Sequence, residues 1–280
     1  MDFFWEQNLW QPLPAWTGAF AALFGLALGS FAGMLVYRLP RGLALDRPGS
    51  QCPSCRTAIR LRHNIPLLSF VFLKGRCANC ACRIHWRYPA SEALCGLLAL
   101  ACWHVFGAGL HAWAALLACV TLVALALIDL EHGLLPDRLT LGLLWSGLAL
   151  SLVPQSPFAP NLPELPFLEP RQAIAGAIAG YAALWTINLV WRALRKRDGL
   201  GGGDMKLFAA LGAWTGISGL PLIMGLSATA GLAVALPLVL SRRAAFSDPL
   251  PFGPFLAAGG LFALFLGPQA ANLFGLGIPG

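Results

Sequence analysis

Apolar residues run along this chain in long blocks, and polar residues gather between them. Eight blocks stand out: residues 16–37, 93–106, 112–128, 139–153, 173–191, 205–216, 220–240 and 252–266. A helix needs roughly 17 to 25 such residues to cross the hydrocarbon of a bilayer. The second and sixth blocks are shorter and dotted with glycine. Blocks that are apolar all round predict helices with no water-facing stripe. Lipid offers backbone groups no partner outside their own helix, so the pattern predicts an all-α polytopic membrane protein of about eight transmembrane helices. The first block reads as a retained span. A signal peptide opens on basic residues, whereas residues 1–15 hold no Lys or Arg.

Composition agrees with the pattern. Apolar residues make up 58% of the chain, charged residues only 11%, and the mean hydropathy is +0.69. A soluble domain carries roughly 25% charged residues. With eight spans, all but one of the 19 Lys and Arg residues fall on a single side. Ten crowd residues 38–92, and the rest of that side is Arg138, Arg192, Arg195, Lys196, Arg197, Lys206, Arg242 and Arg243. Only Arg171 lies opposite, beside the Pro-rich segment 154–170 with Glu164 and Glu169. Cytosolic loops collect basic residues, which sets both termini outside the cytosol. The formal charge of +7 is therefore a topology signal, and no nucleic-acid partner is expected.

Residues 39–91 form a loop with its own chemistry, between a first segment (1–38) and a seven-helix membrane core (92–280). It holds Cys52-Pro-Ser-Cys55 and Cys77-Ala-Asn-Cys80. Two Cys-x-x-Cys knuckles at this spacing suit one tetrahedral zinc ion bound by four thiolates. The loop has few apolar residues, so the metal would supply its folding energy. Cytosolic thiols stay reduced, which argues against disulfides. Cys82 is an alternative to Cys80 as a ligand. Cys95, Cys102 and Cys119 fall in apolar blocks, where cysteine behaves as a small hydrophobe, and His63 and His85 read as solvated. A site closed by four thiolates leaves no open position for catalysis.

Only twelve Asp and Glu residues occur, and ionisable groups at membrane depth mark functional sites by default. Asp129 ends the third block, and Asp204 opens the sixth after Gly201-Gly202-Gly203. The third block runs toward the cytosol and the sixth away from it, so both carboxylates sit at the cytosolic boundary. Two such carboxyls can share a proton, one activating water and the other polarising a carbonyl. Taken alone, Asp204 also reads as a helix cap and Asp129 as the first polar residue past a span. Asp137 reads as a helix cap and Glu131 as a solvated loop residue, but spacing alone leaves Asp137 open as a member of the pair.

The segment 128–137, Ile-Asp-Leu-Glu-His-Gly-Leu-Leu-Pro-Asp, resembles the first aspartate motif of the prepilin peptidases, the type IV leader peptidases. Gly201-Gly-Gly-Asp204-Met-Lys-Leu207 resembles their second, the Gly-x-Gly-Asp motif. Gly29-Ser-Phe31 with Tyr37-Arg-Leu-Pro40, Arg87-Tyr-Pro89 with Glu92, and Pro251-Phe-Gly-Pro-Phe255 resemble three further family segments, all in family order. One departure is the small Ala32-Gly33-Met34, where family members are richer in aliphatic residues. The resemblance implies that Asp129 and Asp204 are the catalytic pair and that Asp137 is supporting structure. It implies removal of the basic leader of type IV pilins or type II secretion pseudopilins after its final Gly. It further implies N-methylation of the new first residue from S-adenosylmethionine, with no residues assigned to the donor, and a site in a bacterial inner membrane. Since such leaders are themselves basic, the basic loop is expected to lie on anionic lipid, with Glu131 offered to the leader. Two rivals use the same residues: a thiol–disulfide electron carrier built on the cysteines, and an ion-coupled transporter built on the aspartates.

Overall fold

The computed structural model describes residues 15–46, 49–107, 109–153, 168–196, 199–241 and 250–273. The leader 1–14, most of the Pro-rich segment (154–167), Arg47, Arg197, Arg242, Arg243 and the final residues 274–280 lie outside them. The described residues are helical apart from loops and two isolated bridges: α1 (Ala15–Arg38), α2 (Leu68–Phe72), α3 (Arg87–Phe106), α4 (Leu110–His132), α5 (Asp137–Ser151), α6 (Pro170–Arg195), α7 (Gly202–Leu240) and α8 (Gly253–Leu273). Five of these, α1, α3, α4, α6 and α7, are long and apolar enough to cross a membrane. The chain forms two compact units, Met1–Ala124 and Leu125–Gly280.

In the first unit α1 and α3 lie antiparallel in close contact. A Cβ on Gly25 would strike Ala99 and the Cys95 carbonyl, and one on Gly29 would lie 2.6 Å from Glu92 Cα. Gly33 leaves room for the Tyr88 ring, and Ala32 is fully buried. The small residues at 32–33 therefore serve the packing. Phe24 and Trp113 meet edge to face at 4.9 Å. Cys95, Cys102 and Cys119 are all buried, as expected of small apolar side chains. The second block begins six residues earlier than its apolar pattern predicts. Trp86 takes the N-cap, and Pro89 falls in the first turn, where a missing N–H costs nothing.

The second unit packs α6, α7 and α8 together, with α5 against α7. Thirty-nine residues of α7 would extend about 58 Å as one rod, nearly twice the roughly 30 Å of hydrocarbon. Gly216 breaks the rod at φ 71° and ψ −178°, a left-handed φ that glycine adopts without penalty. Contacts with α8 show that the chain reverses there. Before the break, Gly203 and Gly253 both touch Leu135, and Leu211 fills the space beside Gly260. After it the order runs backward. Ile223 lies beside Gly259, and Gly231 beside Phe255. Ser227 Oγ donates to the Phe255 carbonyl at 3.0 Å. The two halves of α7 are the sixth and seventh predicted blocks. The described residues thus hold one helical segment for each of the eight blocks.

Gly176 on α6 and Gly212 on α7 face one another so closely that a Cβ on either would strike the other's carbonyl. Gly176→Val should therefore cost about 1–3 kcal/mol by overpacking and lower the thermal midpoint in detergent. Gly142 has nothing within 4 Å of a built Cβ, so Gly142→Ala should raise the midpoint, by up to about 1 kcal/mol of helix propensity. Equal responses of the two variants would contradict the packing.

Candidate active site and metal centre

α4 ends where the sequence tells it to. Gly133 takes φ 61° and its N–H donates to the Asp129 carbonyl at 2.8 Å, a left-handed cap. Asp129 thus sits in the last turn of α4, 6% exposed. Its Oδ2 accepts a 2.9 Å hydrogen bond from the Gly253 backbone N–H at the start of α8. A Cβ on Gly253 would lie 2.6 Å from that oxygen, so only glycine brings this N–H so close.

Asp204 lies in the first turn of α7, half-buried, with its N–H bonded to the Gly201 carbonyl at 3.1 Å. Gly201, in extended backbone, holds the N-cap position, so Asp204 does not cap this helix. The three preceding glycines are not equivalent. A Cβ on Gly201 would press on Asp204 Oδ2 at 3.2 Å, and one on Gly203 would meet Leu135 Cβ at 2.8 Å, while Gly202 faces open space. Leu135 touches both Gly203 and Gly253, so one side chain packs against the supports of both aspartates. The structure brings these two carboxyls together at one end of the unit, where α4 ends and α5, α7 and α8 begin.

Asp137 differs from its expected role as a cap. Pro136 occupies the N-cap of α5 with extended backbone, and Asp137 makes no capping bond. Its Oδ1 instead accepts from Lys206 Nζ at 2.6 Å. Lys206 is two residues past Asp204 on α7, so this pair ties α5 to the helix that carries the second carboxylate. Both groups are exposed in part, and such ion pairs contribute about 1 kcal/mol or less. The signal in the sequence was the Lys in the second motif, but spacing alone could not link it to Asp137. Glu131 is exposed and lies 3.8 Å from the His132 imidazole.

In the first unit the two knuckles repeat one geometry. Arg56 N donates to the Cys52 carbonyl at 2.8 Å and Ala81 N to the Cys77 carbonyl at 3.0 Å. Arg56 and Ala81, each directly after the second cysteine of its knuckle, both take a left-handed φ near 55°. Antiparallel bridges flank each turn, Gln51 with Ala58 and Arg76 with Arg83. The Sγ atoms of Cys52, Cys55, Cys77 and Cys80 lie within 4.8 Å of one another. Tetrahedral Zn–S bonds of about 2.3 Å place sulfurs about 3.8 Å apart, and Cys52 and Cys80 are 3.8 Å apart. This donor set fits a metal ion. Bonds from Thr57, through side chain and backbone, and from the Asn79 amide pull the Cys55 thiol down to about 6, which favours the ligating thiolate. Cys82 occupies the position in the second knuckle that Thr57 holds in the first, with its sulfur 3.5 Å from Cys52 Sγ.

A polytopic helical protein with two aspartates at neighbouring helix ends and a four-cysteine loop falls in a defined class, and similarity to known sequences gives its family. Residues 23–106 match the bacterial peptidase A24 N-terminal domain, and residues 115–236 match the type IV leader peptidase family. A prepilin leader peptidase/N-methyltransferase of Burkholderia pseudomallei (strain K96243) is 41% identical, covering 92% of this chain and 88% of its own length. Proteins of the same name from Aeromonas hydrophila and Dickeya chrysanthemi are each 39% identical, over 90% and 87% of this chain and 91% and 90% of their own lengths. No solved structure matches significantly. The chain belongs to the type IV leader peptidase family.

Metal binding is tested by removal. Cys52→Ser or Cys77→Ser should lower the metal content of the purified protein from one ion per chain toward none and speed proteolysis within the loop, while Cys95→Ser should do neither. Because thiolates must shed protons to ligate, metal affinity should fall as the pH is lowered, read as metal lost on dialysis against buffers of decreasing pH. Undiminished metal in a variant lacking all four thiols would refute the site.

Proposed function

We propose that this chain is an aspartic endopeptidase of the bacterial inner membrane. It removes the basic leader of type IV prepilins or type II secretion pseudopilins and then N-methylates the residue so exposed. The observation that carries the proteolytic part is the meeting of Asp129 and Asp204, from two different helices, at one end of the second unit. The relatives named prepilin leader peptidase/N-methyltransferase support both activities.

Asp129 and Asp204 share one proton in this reading, since like charges held close together disfavour ionisation of both. The ionised carboxylate takes a proton from a water as its oxygen attacks the scissile carbonyl, and the protonated one donates to the developing oxyanion. The Gly253 N–H holds one Asp129 oxygen, so the other is left for the water. The tetrahedral intermediate then collapses, and the departing amine receives a proton from the pair. Asp137 and Lys206 position α5 against α7 and take no part in proton transfer.

The cysteine cluster holds a structural zinc ion that folds residues 39–91 into a cytosolic module, ahead of the membrane core 92–280. The alternative of two independent redox pairs is disfavoured by the contact across knuckles between Cys52 and Cys80. The transporter alternative is disfavoured because the aspartates lie at helix ends and not at a midplane site between repeats. Methylation uses S-adenosylmethionine as co-substrate, which supplies a methyl group on a sulfonium. The charge pattern supports a cytosolic position for the aspartate end, with both termini on the other side. The basic loop lies on anionic lipid, and Glu131 faces the leader's positive charge.

Orientation is checked with a reporter active only outside the cytosol. It should be active when fused after Gly280 and silent when inserted near Lys74 or Lys196. The reverse result would put the aspartates on the wrong side for leader cleavage.

Asp129→Asn and Asp204→Asn keep the side-chain shape but cannot accept a proton from water. Each should abolish cleavage of a prepilin by the purified protein, and the double variant should add almost nothing, because groups that act as one unit are non-additive. Asp137→Asn should keep most activity, since it weakens a partly exposed ion pair worth about 1 kcal/mol or less. Cleavage by Asp204→Asn, or a dead Asp137→Asn beside an active Asp129→Asn, would show that the wrong carboxylates are paired.

A further inference from the structure

The two aspartates both fall in the segment that matches the leader peptidase family, residues 115–236. The N-terminal segment, 23–106, holds only two acidic residues, Asp46 and Glu92. Asp46 is exposed, and the histidines of the segment, His63, His85 and His104, are exposed or half-exposed. Glu92 is 9% exposed, on α3 against Gly29 of α1. Its Oε2 accepts a 2.8 Å hydrogen bond from the Leu67 backbone N–H. Leu67 adopts φ 58° and ψ −49°, a conformation costly for a branched residue, and in it the N–H reaches the carboxylate. Among the described residues no Lys, Arg or His pairs with Glu92. Buried carboxylates are normally matched by a cation, and a carboxylate has about four acceptor sites, of which the Leu67 N–H uses one.

We propose that Glu92 binds the free α-ammonium of the cleaved pilin and accepts its proton, so that the first unit holds the acceptor site for N-methylation. This rests on the reading that the chain, like its relatives, methylates the amine that cleavage exposes. The chemistry needs such a group. An ammonium has no lone pair and cannot attack a methyl group. Glu92 takes one proton from it and becomes a neutral carboxylic acid. The freed amine attacks the sulfonium methyl: an N–C bond forms, the C–S bond breaks, and its electron pair stays on sulfur as a neutral thioether. The product leaves as a methylammonium ion, and Glu92 returns its proton to water. The Leu67 N–H holds the carboxylate in place from the cysteine loop, which makes it a positioning group.

The rival account is that Glu92 only fastens the loop to α3. Glu92→Gln separates the two, because a Gln carbonyl still accepts from Leu67 while the charge is gone. The experiment uses the full chain in lipid nanodiscs and two peptides matching the mature N-terminus of its substrate, one with a free α-amine and one N-acetylated, with no methyl donor present. The intact protein should bind the free amine about tenfold or more tightly than the acetylated peptide, the worth of one charge-assisted hydrogen bond. Glu92→Gln should bind the two alike, still cleave prepilin, and bind S-adenosylmethionine as the intact protein does. Methylation of a peptide supplied already cleaved should fall at least as far, whatever becomes of the aspartate pair. The proposal is overturned if Glu92→Gln keeps the preference for the free amine. Loss of cleavage together with methylation would equally overturn it, making the role structural. So would weakened binding of S-adenosylmethionine with the peptide preference intact, which would assign the carboxylate to the donor's cation.

Discussion

A carboxylate carried into apolar surroundings must find its hydrogen-bond donors within the chain, since lipid supplies none. At Asp129 that donor is the Gly253 N–H, 2.9 Å away. Much of the second unit follows from this bond. The start of α8 must come up to the end of α4, which requires a residue without a side chain at 253. It also requires α4 to stop within one turn of Asp129, which Gly133 secures with its left-handed φ. The Leu135 side chain then packs against both glycine supports, so the two aspartates are fixed by one shared contact and not by independent loops.

The same economy governs the helix contacts. Between apolar helices in lipid there is little hydrophobic drive for association, so close backbone approach and interhelical hydrogen bonds hold them together. Gly176 against Gly212, and Gly25 and Gly29 against α3, are approaches of that kind. The Trp214 indole N–H, which donates to the Leu143 carbonyl at 2.8 Å, and the Ser227 hydroxyl are hydrogen bonds of that kind. Rigid contacts near the helix ends matter for catalysis because misplacing a reacting group by about 1 Å can cost about a hundredfold in rate.

Length and hydropathy made the eight segments legible, including the division between residues 205–216 and 220–240 that the backbone executes at Gly216. The Cys-x-x-Cys spacing made the metal cluster legible, because two knuckles can satisfy a tetrahedron in only a few ways. What stayed hidden was whatever depends on which residues meet in space. Asp137 looked like a cap because its position before an apolar block is where caps occur, and nothing local announced Lys206 as its partner. The true start of α3 at Arg87 was hidden because its first turns are polar, and hydropathy reads polarity as loop. Glu92 lies in those hidden turns, so the apolar pattern left it outside the span that buries it.

That the amine-binding carboxylate and the aspartate pair belong to different units of the chain also has a chemical reason. An aspartic protease centre exists to make water nucleophilic beside a polarised electrophile. A sulfonium methyl group is itself an electrophile, so a water activated at Asp129 and Asp204 would compete with the amine for it. Methyl transfer calls for a site that excludes such water and deprotonates only the intended nucleophile. Glu92 is 9% exposed and is held by the Leu67 N–H. With no water-activating partner carboxylate in its segment, it meets that requirement where the aspartate pair does not.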